Sequence, residues 1–282
     1  INHTSEERYE RNYLLEWNQR EMLIQQFRGE HDLHWADLDW RYLTADGTRT
    51  SPDRRRYTFE RLGDGSYQIY PNLGALRRYN EVVDAVSGYD ISLGRDWADS
   101  EAFKLNTELG LATSRQKRDS SSVTFQFYPT ETPDSDDPEQ AFDPRHVGDK
   151  LDLRAFTEGS ADYEGDKAVD AYYAQLDTTI QETVRLVGGM RRETSDLTVT
   201  TFSPADPDGV DSGYKRTDEL RSLAATWFLT EGMQVRAAYG ETLSHPLLVE
   251  LSDTAYYDPE TGDQNQGNPD LDPTEIAGYD LR

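Results

Sequence analysis

Two histidines lie close enough in the sequence to share a metal ion, in the segment His31-Asp32-Leu33-His34. A zinc site needs three or four ligands, and the common helical form has the spacing His-Glu-x-x-His. The segment has neither that spacing nor a third ligand nearby, so we predict no metal site there. The chain has no cysteine, which excludes disulfides, thiolate metal sites and cysteine nucleophiles.

Acidic segments could bind calcium, and the clearest are Asp206-Pro207-Asp208-Gly209 and residues 258–263. Neither matches the spaced ligand pattern of an EF-hand, so we interpret both as solvated loops. The sequence also lacks a Gly-x-Ser-x-Gly elbow, a phosphate-binding glycine loop and a dinucleotide fingerprint. We therefore predict no cofactor and no enzymatic activity.

Composition restricts the possible partners. The 282 residues include 29 Lys and Arg against 54 Asp and Glu, a net charge of -25. The phosphate-neutralising surface required for nucleic-acid binding is therefore not expected. Hydrophobic residues make up only 35% of the chain, but aromatic residues make up 11%, which is unusual for a disordered acidic segment. The sequence has no run of about 18 apolar residues, so we predict no transmembrane helix.

Alternation of apolar and polar residues predicts β-strands. It is clearest in residues 223–229 and 233–239, which are joined by the short turn Thr230-Glu231-Gly232. At a period of two, one face of this predicted hairpin is apolar. The opposite face carries Thr226, Gln234 and Arg236, with Phe228 as the exception.

Three further segment pairs have a similar pattern. We predict hairpins that join 103–111 to 123–127 across the polar residues 115–119, and 171–176 to 184–190 across 178–182. A less regular pair runs from Tyr13 through Phe27 and onward from Leu38. Ionised residues recur in the middle of these strands, including Arg41, Lys104, Glu108 and Arg236.

Long polar loops are predicted near residues 129–168, 201–217 and 252–272, and they alternate with short turns. Transmembrane β-barrels have this combination, with short turns on one side and long loops on the other. A soluble acidic β-sandwich with one solvated face has the same alternation and would bind a glycan or a protein through its loops. The pattern alone leaves both interpretations open.

The C-terminal part favours the first interpretation. Residues 239–246 read Tyr-Gly-Glu-Thr-Leu-Ser-His-Pro, and residues 267–275 read Gly-Asn-Pro-Asp-Leu-Asp-Pro-Thr-Glu. This resembles the late barrel region of TonB-dependent receptors, where a Tyr-Ser-x-Thr-x-Ser-Arg-Pro-like strand end precedes a Gly-Asn-Pro-x-Leu-x-Pro-Glu-like motif. The chain departs from the family pattern at His245, Asp272 and Thr274, and Glu275 follows one place late.

The second motif has a structural interpretation. Pro269 and Pro273 cannot donate ladder hydrogen bonds, Gly267 relaxes the backbone, and Asn268 favours a turn. Together with Leu271, these residues make up the family-like motif, to which we assign a structural role. We predict that the next strand begins after Pro273.

The resemblance implies an all-β, antiparallel transmembrane β-barrel. Residues 1–282 would form part of a family barrel of about 22 strands, since only ten to twelve strand candidates of roughly 10 residues each are present. The plug domain, the TonB box and the last strands of the family are not recognised in the sequence.

The implied function is active transport in the outer membrane: binding of a scarce nutrient, such as an iron-siderophore, cobalamin or a carbohydrate, and its import with energy from TonB. The implied partners are outer-membrane lipid, the nutrient, and the TonB complex through the plug. Arg41, Lys104, Glu108 and Arg236 would be hydrated in the lumen wall, where an exposed charge avoids the cost of facing lipid. Tyr256 and Tyr257 are candidate ligand contacts, with an interfacial aromatic girdle as the alternative.

Overall fold

The computed structural model describes residues 9–69, 75–130, 137–155, 162–203, 206–253, 255–257 and 264–282. Helical structure in these residues is limited to α1 (Pro138–Ala141), α2 (Leu248–Leu251) and a 3₁₀ turn at Pro144–His146. No helix in this part of the chain has the length and apolar character to cross a membrane.

Antiparallel strands dominate the described residues, and several are longer than 20 residues. They are β1 (Glu10–Leu15), β2 (Gln19–Asp32), β3 (Asp37–Arg61), β4 (Tyr67–Ile69), β5 (Ala75–Asp99), β6 (Phe103–Pro129), β7 (Leu151–Ala155), β8 (Asp162–Ile180), β9 (Val184–Phe202), β10 (Val210–Thr230), β11 (Met233–Ser244), β12 (Ala255–Tyr257), β13 (Gln264–Gln266) and β14 (Thr274–Leu281).

Twelve of these strands form one sheet, in the order β1-β3-β5-β6-β8-β9-β10-β11-β14. Strands β2 and β4 also pair with β3, and β7 pairs with β6, while β12 and β13 form a separate hairpin. In the described residues the sheet is not closed into a barrel, because its terminal strands do not pair with each other.

The two ends of the sheet differ in their connections. At one end, here called the turn end, neighbouring strands are joined by residues 33–36, 100–102, 181–183 and 231–232. At the opposite end, the loop end, the connections contain α1, α2 and the short strands β4, β7, β12 and β13. The predicted alternation of short turns and long loops is present.

The two faces of the sheet also differ. Because paired residues share a face and successive residues alternate, the strand register defines an apolar face in the half near the turn end. It includes Trp40, Tyr42, Tyr89, Ile91, Leu109, Leu111, Tyr172, Leu176, Leu186, Met190, Leu223, Trp227, Val235, Tyr239 and Tyr279. The opposite, polar face includes Arg41, Asp90, Glu108, Asp177, Arg185 and Arg236.

Most of the predicted hairpins are confirmed. Strands β10 and β11 pair as expected, with Trp227 opposite Val235, and β8 and β9 pair with Ile180 opposite Val184. The fourth pair corresponds to β2 and β3, although β2 begins only at Gln19. The predicted strand after Pro273 begins at Thr274.

The hairpin predicted between residues 103–111 and 123–127 is wrong, because both segments belong to the single strand β6. The polar residues 115–119 were interpreted as a turn, but each is paired with β5 and with β8. Arg118 donates to both carboxylate oxygens of Asp84, at 2.8 and 2.6 Å, and Arg115 binds Asp170. Cross-strand ion pairs thus hold a polar run in a strand that contains no Gly or Pro there to break it.

The loops have more regular structure than the sequence suggested. Residues 129–168 include α1, β7 and the start of β8 at Asp162. Strand β10 begins at Val210, within the predicted loop 201–217. Residues 252–272 include β12 and β13, with residues 254 and 258–263 outside the described part.

Two hydrophobic clusters lie at the loop end, one on each face. The first contains Tyr57, Phe59, Ile69, Ala75, Phe127, Ala141, Phe142 and Leu151. It is on the same side as the apolar face and is covered by α1, where Phe142 stacks on Tyr57 with ring centroids 4.4 Å apart. The second contains Tyr163, Leu197, Val199, Leu248 and Leu251, and it places α2 on the polar face.

Candidate functional site

The half of the sheet near the turn end exposes large apolar side chains. Leu109 is 59% exposed and Trp227 is 52% exposed, although both belong to paired strands of the sheet. Scattered exposed apolar residues are ordinary, but a continuous patch across many strands indicates an interface with a partner or a membrane. We call this patch, which consists of the apolar face in the half near the turn end, the apolar belt.

Aromatic residues mark both edges of the apolar belt. Near the turn end they are Trp35, Trp97, Phe103 and Trp227; farther away they are Tyr42, Tyr89, Tyr172, Tyr239 and Tyr279. Eight residues separate Tyr89 from Trp97, which corresponds to about 26 Å along the strand. In transmembrane barrels, aromatic girdles flank an apolar band about 25 Å tall, and a tilted strand of this length crosses roughly 21 Å of it.

The row of tyrosines is oblique to the strands. Followed through the register from β3 to β11, it moves toward the turn end by about one residue per strand. A shift of about 3.3 Å for each strand spacing of about 4.8 Å corresponds to a strand tilt of roughly 35°. Strands of transmembrane barrels are tilted by about 35–45°, so the belt has the geometry of a membrane-facing surface.

The four charged residues predicted to line a lumen all lie on the polar face. Glu108 accepts a hydrogen bond from the hydroxyl of Tyr173 at 3.0 Å, and Lys104 is 3.7 Å from Asp99. Arg236 donates to Gln234 at 3.3 Å. Arg41 is paired with Asp90 of β5 in the strand register. Each residue is therefore on the side of the sheet away from the apolar belt.

The predicted ligand contacts Tyr256 and Tyr257 lie in β12, opposite Asn265 and Gln264 of β13. This hairpin is separate from the large sheet. The structure does not bring the two tyrosines together with the four charged residues in one site, and their role stays a prediction.

The Gly-Asn-Pro motif packs against the segment that contains α2. A Cβ atom at Gly267 would lie 1.8 Å from the carbonyl oxygen of Ser252, so only glycine allows this approach. The amide of Asn268 donates to the carbonyl of Glu250 at 2.6 Å, and the side chain of Asn268 accepts from the amide of Asp270 at 3.0 Å. Leu271 packs against the second hydrophobic cluster.

The same motif precedes β14 closely. Pro273 is buried, and the strand starts at the next residue. Pro269 lies within the turn that the Asn268 and Leu271 backbones close. The motif therefore joins a segment on the polar face to the last described strand.

A buried hydrogen-bonded group lies under α2 at the loop end, beyond the tyrosine row. His245 Nδ1 is 2.9 Å from the hydroxyl of Tyr214, and its Nε2 is 3.0 Å from Glu193 Oε1. The side chains of His245 and Glu193 are only 11% and 9% exposed. Burial is the main cause that raises the pKa of Tyr214 to about 12, so the phenol stays protonated and can donate to the imidazole.

Sequence reasoning missed this group. His245 stood out only as a departure from the arginine usual in the family, and its partners lie 31 and 52 residues away. No local spacing connects the three side chains, because they meet only when the chain after β11 folds back over β9 and β10.

The described residues contain no group of three or more His, Asp or Glu side chains that could hold a metal ion. This statement includes His31 and His34. The imidazole of His31 instead accepts a hydrogen bond from the indole of Trp40 at 3.0 Å.

Comparisons with known proteins match the chain to one family. A family model described as TonB dependent receptor-like, beta-barrel matches residues 2–281. Among solved structures, the chain is similar to the ferric citrate transporter FecA in the unliganded form, with a TM-score of 0.45 and 10% sequence identity. The similarity covers 84% of this chain and 36% of FecA, so the chain spans about a third of that protein. No curated protein sequence matches.

Proposed function

The chain belongs to the TonB-dependent receptor-like β-barrel family, and we propose that it forms part of the wall of an outer-membrane receptor that imports a scarce nutrient. The family consists of outer-membrane transport receptors and is not a family of enzymes. In this proposal the protein lies in the outer membrane, binds the nutrient and uses energy from TonB.

The apolar belt is the observation that carries this proposal. Large apolar side chains are exposed over a tilted band on one face, while the opposite face carries Arg41, Glu108 and Arg236. A charged side chain at the bilayer midplane costs about 2–4 kcal/mol when it faces lipid. In a closed barrel the apolar face would contact lipid and the polar face would line a hydrated lumen.

The receptor would bind an iron-siderophore, cobalamin or a carbohydrate. Tyr256 and Tyr257 would contact this ligand from the loop end. Arg41, Lys104, Glu108 and Arg236 would line the lumen and contact a plug domain, through which the TonB complex would act. None of these steps requires covalent chemistry or a cofactor.

The test is fractionation of cells that produce the full-length protein, followed by gel mobility with and without heating. We expect recovery with outer membranes and a band that shifts on heating, because closed β-barrels resist detergent until heated. Uptake of labelled ferric siderophores, cobalamin and oligosaccharides, with and without TonB, would then identify the nutrient. A soluble protein whose mobility does not change on heating would overturn the proposal and favour a soluble β-domain that binds through its loops.

A further inference from the structure

Arginines are concentrated on the polar face at the loop end, although the chain carries a net charge of -25. Arg20 of β2 is directly opposite Arg49 of β3, and Arg54 of β3 is directly opposite Arg78 of β5. Arg56 follows on the same side of β3. These five residues are called the arginine patch.

Like charges directly opposite each other destabilise a sheet, and the chain neutralises such a pair elsewhere. Arg55 and Arg77 face each other on the other side of the same two strands. Asp53 bridges them, with each arginine 2.6 Å from one of its carboxylate oxygens. The arginine patch has no equivalent bridge for Arg20 and Arg49, which form no ion pair within the described residues.

Arg49 is the most informative member of the arginine patch. Its Nε atom is buried and has no hydrogen-bond partner within the described part of the chain. Burial, followed by the nearby charge of Arg20, lowers the pKa of Arg49. The nearby carboxylate of Glu16 opposes this shift only in part, and the guanidinium stays charged at neutral pH. A buried donor and a charge crowded by other arginines therefore occupy the same position.

A shallow depression lies on the same face, farther toward the loop end. It is lined by Arg54, Arg56, Leu76, Arg78 and Thr124. Arg78 Nε donates to the hydroxyl of Thr124 at 3.0 Å, and Glu16 lies 3.6 Å from Arg54 Nε. Guanidinium groups with several donors in one plane match the geometry of carboxylates and phosphates.

We propose that the arginine patch binds a small polyanionic ligand that carries several carboxylate or phosphate groups. The proposal rests on the proposed receptor function and specifies the chemical class of its ligand. A bound anion would offset the repulsion between the facing arginines, Arg20 with Arg49 and Arg54 with Arg78. Like charges that face each other across two strands break a local rule of strand pairing, and such departures are typical of functional sites.

The experiment measures binding to the purified full-length receptor in detergent by titration calorimetry. Citrate tests carboxylates, tripolyphosphate tests phosphates, and the uncharged trimethyl ester of citrate is the matched control. We expect at least one of the two anions to bind, more weakly by about tenfold when the salt concentration rises from about 0.05 to 0.5 M, because salt screens exposed charges. The ester should show no binding.

The double substitution Arg49→Gln and Arg78→Gln should weaken anion binding by tenfold or more. The matched control is Arg192→Gln with Arg221→Gln, which removes the same charge from the apolar side of β9 and β10 and should change affinity by less than about twofold. Since Arg49 is directly opposite Arg20 and its Nε atom is buried without a partner within the described residues, the first variant should resist heating at least as well as the parent. Loss of heat resistance with unchanged anion affinity would show a structural role and overturn the proposal.

The proposed function and this inference can fail separately. An outer-membrane, heat-modifiable receptor that binds neither citrate nor tripolyphosphate would overturn the inference and leave the receptor function standing. A soluble protein that binds citrate through Arg49 and Arg78 would overturn the receptor function and leave the anion-binding inference standing.

Discussion

Apolar side chains are exposed in the half of the sheet near the turn end and buried in the half near the loop end. Near the turn end, Leu109 and Trp227 are 59% and 52% exposed. Near the loop end, Phe59, Val199 and Leu251 are fully buried, because α1 covers one face of the sheet and α2 covers the other. Within the described residues, both hydrophobic clusters therefore lie in the half that extends beyond the tyrosine row.

This difference indicates which solvent each half meets. Apolar side chains can face the lipid of a bilayer at no cost, but backbone polar groups in lipid must be hydrogen-bonded within the protein. In water, exposed apolar surface is unfavourable, so apolar side chains outside the membrane are stabilised when other segments of the chain cover them. If the protein lies in the outer membrane as proposed, the segments with α1 and α2 cover the parts of the strands that extend beyond the bilayer.

The largest predicted effect comes from the covered half. Phe59→Ala should destabilise the intact receptor by about 3–5 kcal/mol, because it removes a fully buried ring from the first cluster. Phe27→Ala is the matched control, since Phe27 is 57% exposed in the apolar belt. Urea unfolding in lipid vesicles would measure both variants. Equal losses would contradict the division into a covered and a lipid-facing half.

A charge in the apolar belt should have the next largest effect. Leu109→Arg should cost about 2–4 kcal/mol in a bilayer, since it places a guanidinium against lipid. Asn106→Arg is the control on the same strand, because position 106 lies on the polar face and the new charge would be hydrated. The fraction of heat-modifiable receptor in isolated membranes would report the difference. If Asn106→Arg were the more damaging change, the assignment of the two faces would be reversed.

The contact between the Gly-Asn-Pro motif and the α2 segment provides a smaller test. Gly267→Ala should destabilise the covering of the polar face by about 1–3 kcal/mol, because the new methyl group would overlap the carbonyl of Ser252. Gly240→Ala meets no atom within 4 Å and should have little effect. Proteolysis of the region around residues 245–273 in the intact receptor would show whether Gly267→Ala releases it. Equal protection in both variants would contradict a structural role for the motif.

The smallest predicted effect concerns pH. Burial opposes ionisation of Asp53, but hydrogen bonds from Arg55 and Arg77 outweigh it and lower the pKa of Asp53 to about 2. A depressed carboxylate pKa stabilises the folded state above the unfolded pKa of about 4, and this stabilisation is lost as the pH falls from about 4 to 2. The contribution should be about 1–2 kcal/mol after screening by solvent.

Unfolding midpoints at pH 7 and pH 3 would test this expectation. Asp53→Asn should lower the midpoint at pH 7 and reduce its dependence on pH. Asp206→Asn, at an exposed position, is the charge-matched control. A parent protein and an Asp53→Asn variant with the same loss of stability between the two pH values would disprove the assignment to Asp53.

Several elements were predictable because their signals are local. Alternation with a period of two put Arg41, Lys104, Glu108 and Arg236 among the polar positions of their strands, and the strand register places all four on the polar face. Their role as a lumen wall stays a prediction. Two prolines in the motif predicted the start of β14. The same local reasoning failed in β6, where a polar run was interpreted as a turn although its partners in β5 and β8 keep it extended.

The candidate sites were less predictable because distant residues build them. The buried group of Tyr214, Glu193 and His245 depends on how the segment after β11 folds back over the sheet. The arginine patch depends on register: Arg49 faces Arg20, and an irregularity between Ser51 and Arg54 brings Arg54 opposite Arg78.

The sequence by itself determined that this protein is an antiparallel β-structure with one apolar and one polar side, because side-chain alternation follows directly from strand geometry. The tertiary structure decided how far each strand continues, which loops cover which face, and which charges face each other. These features depend on pairing between residues far apart in the chain, where a shift of one residue moves every side chain to the opposite face.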